Sequence, residues 1–147
     1  MQRRTFLLAS SAILLLPFPA LAASGKHAVL YKNPQCSCCE GYADYMRQNG
    51  FEVDVKPTND LAEISRKAGV PEGFEGCHTM FIDGYVIDGH VPVDVVEKLL
   101  AEKPAIAGIT LPGMPMGSPG MAGTKTENFI IYAVTKDGKA PTIYAAA

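Results

Sequence analysis

The sequence predicts an α/β domain in which a mixed β-sheet is flanked by helices and extended by a C-terminal β-hairpin. Three observations predict it. Short apolar runs of strand character alternate with segments of helical periodicity, in the order β-α-β-α-β-β-α. Asp83-Gly84 stands between two apolar runs, the strongest short hairpin signal in the chain. Residues 108–123 are rich in Gly, Pro and Met, and two further strand-like runs follow them.

The elements follow in order. Ala28-Val29-Leu30-Tyr31 is a short buried strand ended by Asn33-Pro34. A cysteine-rich stretch comes next. Residues 40–48 then form a helix with Tyr42, Tyr45 and Met46 as apolar contacts, stopped by Asn49-Gly50. Phe51, Val53 and Val55 alternate with Glu52, Asp54 and Lys56 as a half-buried strand ending at Pro57. Thr58 or Asp60 caps a second helix carrying Leu61, Ile64 and Ala68, with Gly69 as its stop. Residues 70–76 are a loop, and residues 79–82 and 85–87 flank the Asp83-Gly84 turn. Pro92 opens a third helix to about Lys103, with Val95, Val96, Leu99 and Leu100 on one face. Residues 108–123 run as a loop, and residues 129–134 and 142–145, linked through Asp137-Gly138, form the terminal hairpin. This order is the one a thioredoxin-like domain shows, with helices on both faces of a mixed sheet.

The first residues carry a targeting signal. Arg3-Arg4 precedes Phe6-Leu7-Leu8, the apolar run over 12–16 and Ala20-Leu21-Ala22, an A-x-A cleavage signature. The apolar core is short for a membrane span. Arg3-Arg4-Thr5-Phe6-Leu7 is similar to a twin-arginine signal, and two arginines also serve a Sec signal. Either route delivers the chain to a bacterial periplasm. Cleavage after Ala22 leaves residues 23–147, about 125 residues, as one domain of ordinary size. Loss of Arg3 and Arg4 from 13 basic side chains, against 15 acidic ones, leaves a net charge of about −4. With no basic block, nucleic acid is excluded as a partner class, and no second apolar segment supports an integral membrane role.

The chemistry is concentrated in the 4 cysteines. Three of them crowd into Cys36-Ser37-Cys38-Cys39, and Cys77 stands beside His78. In an oxidising compartment four cysteines suggest two structural disulfides. Every complete pairing of these four, however, includes a bridge within residues 36–39, and so small a loop removes little unfolded-state entropy. Soft-metal binding and thiol redox chemistry both remain open on spacing alone. A helix start after a strand suits either, because free N–H groups and the helix dipole stabilise a thiolate.

Tyr31-Lys32-Asn33-Pro34-Gln35-Cys36 with Cys39 resembles the strand, loop and Cys-x-x-Cys helix start of glutaredoxins and thioredoxins. Residues 77–89, Cys77-His78-Thr79-Met80-Phe81-Ile82-Asp83-Gly84-Tyr85-Val86-Ile87-Asp88-Gly89, resemble the glutaredoxin stretch that carries a cis-proline. His78 falls at that proline and Cys77 just before it. The resemblance implies that Cys77 and His78 face the cluster across a groove. A dithiol reductase needs only two cysteines, one to attack and one to resolve. Four sulfurs with an imidazole suit a soft ion such as Cu(I). His90 follows Gly89, near the same groove. Met114, Met116 and Met121 offer soft thioethers, and equally serve as flexible apolar filling. His27, Tyr31 and Tyr42 read as outside the site or as packing residues.

The combination of Cys-x-Cys-Cys, Cys77-His78, Gly89-His90-Val91-Pro92 and the Leu-Pro-Gly-Met loop resembles the CopG-like periplasmic copper-resistance proteins, long catalogued as a domain of unknown function. That resemblance implies a thioredoxin-like fold holding several Cu(I) ions in a multinuclear thiolate cluster, with roles in copper resistance, homeostasis and copper redox. Cys36, Cys38, Cys39 and Cys77 are then ligands, completed by His78, His90 and the methionines Met114, Met116 and Met121. Copper ions, and other periplasmic copper-resistance proteins, are the implied partners. The rival from another class is a thiol-disulfide oxidoreductase using Cys36 and Cys39. A tetrahedral zinc site fits poorly, since three crowded thiols lack paired-knuckle spacing.

Overall fold

Side-chain alternation decides which face each strand buries. The computed structural model describes residues 26–147, so the signal segment expected over 1–22 lies outside the described residues. The elements are β1 (His27–Lys32), α1 (Ser37–Gln48), β2 (Glu52–Pro57), α2 (Leu61–Lys67), β3 (His78–Ile82), β4 (Tyr85–Asp88), α3 (Val93–Glu102), β5 (Gly108–Thr110), β6 (Ile130–Val134) and β7 (Thr142–Ala146). The strands form one seven-stranded sheet in the order β2-β1-β3-β4-β5-β6-β7. The β1–β2 and β4–β5 pairs are parallel and the others antiparallel, so the sheet is mixed. A parallel pair needs a crossover, and α1 and α3 supply the two.

Leu30, Met80, Ile87 and Ile109 lie in register across four strands and face α1 and α3. Helix α1 buries Cys39, Tyr42, Ala43 and Met46, the i, i+3, i+4, i+7 stripe of an amphipathic helix. Helix α3 adds Val95, Val96 and Leu99 to the same core. The opposite face carries a smaller cluster of Val70, Val86 and Val134, flanked by Ala68 just beyond α2, by Phe74 and by Phe81. The hairpin turn is as expected: Asp83 and Gly84 both take positive φ, 48° and 80°, as a tight β3–β4 connection requires. The terminal hairpin also forms, as β6 and β7.

Two boundaries differ from the sequence reading by more than a residue. Helix α1 begins at Ser37 rather than at residue 40, with Cys36 as its N-cap. The cause is the Asn33-Pro34 turn, closed by the Cys36 N–H on the Asn33 carbonyl at 3.0 Å, which aims the chain into a helix immediately. The loop expected over 108–123 opens instead with strand β5. Three residues are too few to show a period. What makes them a strand is position, because β4 and β6 offer ladder partners on either side. Gly108 permits that approach: a Cβ there would stand 1.8 Å from the Val86 carbonyl oxygen.

Gly108→Ala is therefore expected to destabilise the protein by about 1–3 kcal/mol through overpacking against β4. Denaturant unfolding measures this, and an unchanged midpoint would contradict so close an approach.

Candidate metal centre

The pairing of β1, β3 and β4 brings the chemistry-bearing segments to one end of the sheet. Lys32, the last residue of β1, pairs with His78, the first of β3, and Thr79 pairs with Asp88 at the end of β4. Cys77 and His90 flank these strand ends, and α1 starts just beyond β1. The chain segments before β3 and after β4 touch backbone to backbone. A Cβ on Gly76 would sit 2.3 Å from the Gly89 Cα, and the Gly89 N–H donates to the His78 carbonyl at 3.0 Å. Only glycine fits at both positions.

The four sulfurs of Cys36, Cys38, Cys39 and Cys77 all lie within 4.8 Å of one another. Cys38 Sγ is 3.4 Å from Cys36 Sγ and 3.7 Å from Cys77 Sγ, and Cys39 Sγ is 3.6 Å from Cys77 Sγ. Cys36 and Cys39 are joined as a disulfide, while Cys38 and Cys77 are free thiols. The bridge has a sequence separation of only 3, so it is weak as a staple. While oxidised, the pair cannot supply thiolates; reduced, it completes a four-sulfur set.

Two imidazoles stand behind Cys77. His90 Nε2 is 3.0 Å from Cys77 Sγ and His78 Nδ1 is 3.6 Å away. The Pro119 carbonyl lies 2.6 Å from His90 Nδ1. A carbonyl only accepts, so Nδ1 carries the proton and Nε2 offers a lone pair toward the sulfur. His78 is fully buried and its Nε2 has no hydrogen-bond partner among the described residues. Tyr42 walls off both rings, with centroids 4.5 Å from His78 and 5.3 Å from His90.

Burial sets the protonation states. It pushes the Cys77 thiol up to about 12, with the charge of Cys38 and the hydrogen bond that the Cys77 S–H donates to it adding to the effect. An ion bound there must displace a proton. Burial holds His78 well below its ordinary value, with His90 as the next cause, and burial likewise lowers His90. Both rings are neutral near pH 7, the form that coordinates metals.

Two buried charged side chains brace the site. Asp88 accepts hydrogen bonds from Ser65 Oγ at 3.1 Å, Thr79 Oγ1 at 2.7 Å and the Gly76 N–H, which fixes the approach to Cys77. Burial raises its pKa, and those three hydrogen bonds pull the other way. Lys32 donates from Nζ to the carbonyls of Asn33, Pro34 and Cys36 at 3.3, 3.4 and 3.1 Å, pinning the loop ahead of α1. The exposed Glu40 carboxylate pairs with it at 3.1 Å.

Of the residues singled out from sequence, Cys36, Cys38, Cys39, Cys77, His78 and His90 converge. Met114 joins them at the rim, with Sδ 4.0 Å from Cys38 Sγ and 54% of the residue exposed. Met116 is 67% exposed and packs against Gly123, and neither it nor half-buried Met121 makes a sulfur contact with the cluster among the described residues. His27 sits at the surface, 3.2 Å from Asp54. Lys32, Asp88 and Pro119 were missed, and Tyr42 read only as packing. Lys32 did carry a signal: it continues the inward alternation of Ala28 and Leu30, an odd place for a lysine.

The lowered imidazoles carry a definite sign. The unfolded chain binds these protons more readily, so the stability they contribute is present above about 6.5 and lost as pH falls through the folded values. Asp88 acts oppositely, its contribution being lost as pH rises. NMR titration of the metal-free protein is expected to give midpoints below 6.5 for both His78 and His90. Midpoints at or above that value would contradict their buried, neutral placement.

A family model described as "Protein of unknown function, DUF411" matches residues 74–121, a span that holds Cys77, His78, His90 and Met114. None of the curated proteins matches the chain. Two solved structures do. "Copper resistance protein copG- Form 2" superposes with a TM-score of 0.77 at 31% identity, over 84% of this chain and 98% of that one. "Copper resistance protein copG- Form 1" gives 0.76 at 31% identity with the same coverage. With that identity extending over nearly the whole of a solved relative, this chain belongs to the CopG copper-resistance protein family.

Proposed function

We propose that the protein binds copper as its cargo, holding several Cu(I) ions in a multinuclear thiolate cluster in the periplasm. The observation that carries this reading is the mutual proximity of four sulfurs, all within 4.8 Å. A thiolate can bridge two ions, and Cu(I) prefers sulfur, so a set this dense suits a cluster better than one isolated ion. His78 and His90 complete the coordination from the buried side. Met114 serves at the exposed rim, passing Cu(I) to Cys38. The family relationship and the naming of the relatives as copper resistance proteins support copper over other soft ions.

The β2-β1-β3-β4 order, with α1 and α3 on one face and α2 by the other, supports a thioredoxin-like core, and a single domain over residues 23–147 is part of the proposal. Export by a twin-arginine-like or Sec signal over 1–22 is part of the proposal, as is exchange of copper with other periplasmic copper-resistance proteins. Among the described residues no helix is long and apolar enough to cross a membrane.

The Cys36–Cys39 disulfide favours one further reading, that this pair does redox work. Oxidation of the dithiol to the disulfide releases two electrons and two protons, enough to reduce two Cu(II) to Cu(I). A thiol-disulfide oxidoreductase would use the same pair on protein substrates.

Anaerobic titration of the reduced protein with Cu(I) is expected to bind more than one ion per chain, and fewer after Cys77→Ser. An unchanged count in that variant would sink the four-thiolate cluster. Met114→Leu is expected to keep the count but slow Cu(I) acquisition from a competing chelator several-fold; an unaltered rate would remove Met114 from the entry path. Steady turnover of glutathione disulfide by metal-free protein, lost in Cys36→Ser, would favour the oxidoreductase instead.

A further inference from the structure

The six converging thiols and imidazoles come from two different supports. Cys36, Cys38 and Cys39 belong to the N-cap and first turn of α1. Cys77, His78 and His90 belong to the β3–β4 pair: His78 opens β3, Cys77 precedes it, and His90 lies two residues past β4. The donor atoms of this second trio also lie within 4.8 Å of one another, without any contribution from α1. The two sets are held by different forces. Lys32 and the Asn33-Pro34 turn fix the helix set, whereas Gly76, Gly89 and Asp88 fix the strand set.

The disulfide falls wholly within the helix set. It consumes Cys36 and Cys39, both from the helix set, and leaves all three strand-borne donors intact. Cys38 remains a free thiol 3.7 Å from Cys77 Sγ. On the strand side, His90 Nε2 is aimed at Cys77 by its Nδ1–H bond to Pro119. His78, fully buried, presents Nδ1 3.6 Å from Cys77 Sγ. One thiolate with two imidazoles is a harder donor set than four thiolates, and suits one divalent ion of borderline softness.

We propose that Cys77, His78 and His90 form a distinct metal site that holds a single divalent ion while Cys36 and Cys39 are oxidised. Reduction of the disulfide by an external dithiol moves two electrons and two protons onto Cys36 and Cys39 and leaves the reductant as its own disulfide. The site then opens from one ion to the thiolate-rich cluster, with Cys77, His78 and His90 shared between the two states. The inference deepens the copper-cluster reading and rests on it for the reduced state alone. Metal capacity thereby becomes a function of the redox state of one dithiol.

Co(II) tests this, since it neither reduces the disulfide nor is reduced by thiols, and its spectrum reports geometry. Oxidised protein, verified to carry two free thiols, is titrated with Co(II) alone. The expected result is one Co(II) per chain, with intense tetrahedral d–d bands and a thiolate charge-transfer band. The Cys36→Ser/Cys39→Ser double variant, which can neither form the bridge nor lend its sulfurs, is expected to bind one Co(II) with the same spectrum. His90→Gln is expected to weaken binding about tenfold or more. No bound Co(II) in the oxidised protein and the double variant, or a weak octahedral spectrum without charge transfer, would overturn the proposal. Cu(I) counting on dithiothreitol-reduced protein is run in parallel. A count above one with no Co(II) site rejects this inference alone, whereas a Co(II) site without multiple Cu(I) rejects the cluster and leaves the strand-borne site standing.

Discussion

The contact on which the site depends is the packing of Gly76 against Gly89. Two stretches, one before β3 and one after β4, approach with no side chain between them. That approach sets the separation of Cys77 and His78 from His90, and Asp88 fastens it by taking the Gly76 N–H into its buried carboxyl group. Gly89 is tight on its other side as well, since a Cβ there would lie 2.3 Å from the Leu111 carbonyl oxygen. The segment leading to Met114 is thus registered against the same frame. Farther along, a Cβ on Gly120 would stand 2.4 Å from the Tyr42 nitrogen, so the loop holding Pro119 is seated directly on α1. A chain of backbone contacts connects every donor.

The electrostatics follow from that frame. Thiols and imidazoles brought together in a poorly hydrated pocket cannot all ionise, which is why Cys77 keeps its proton and both rings stay neutral. A cation reverses the preference by supplying the charge that water would otherwise screen. The buried ammonium of Lys32 lies beneath the same loop and anchors carbonyls rather than touching sulfur. The geometry favours soft cations because the converging donors are sulfur and neutral nitrogen, while the buried carboxyl group of Asp88 is already committed to three hydrogen bonds.

Much of this was legible in the sequence because the signals were local. The Asp83-Gly84 turn, the apolar stripe of α1 and α3, and the crowding of Cys36, Cys38 and Cys39 each lie within a few residues. The convergence of Cys77, His78 and His90 on that trio became legible only through resemblance, since it depends on strand order. What stayed hidden is tertiary. Strand β5 has no period of its own and forms because its neighbours offer edges. The start of α1 at Ser37 is fixed by a turn, not by a capping side chain. Pro119 acts through its carbonyl, a group every residue has, so no side-chain pattern could have marked it. The methionines divide for the same reason: loop geometry puts Met114 at the thiols and Met116 against Gly123.

The glycine contact has a consequence for how such a site can change over generations. Residues 76, 88 and 89 carry the framework, whereas residues 77, 78 and 90 carry the donors, and the two sets do not overlap. Exchanging a donor alters what the socket prefers without disturbing the backbone that shapes it, while losing either glycine removes the socket itself. Metal preference is therefore free to drift by single substitutions on a cradle that must be inherited whole.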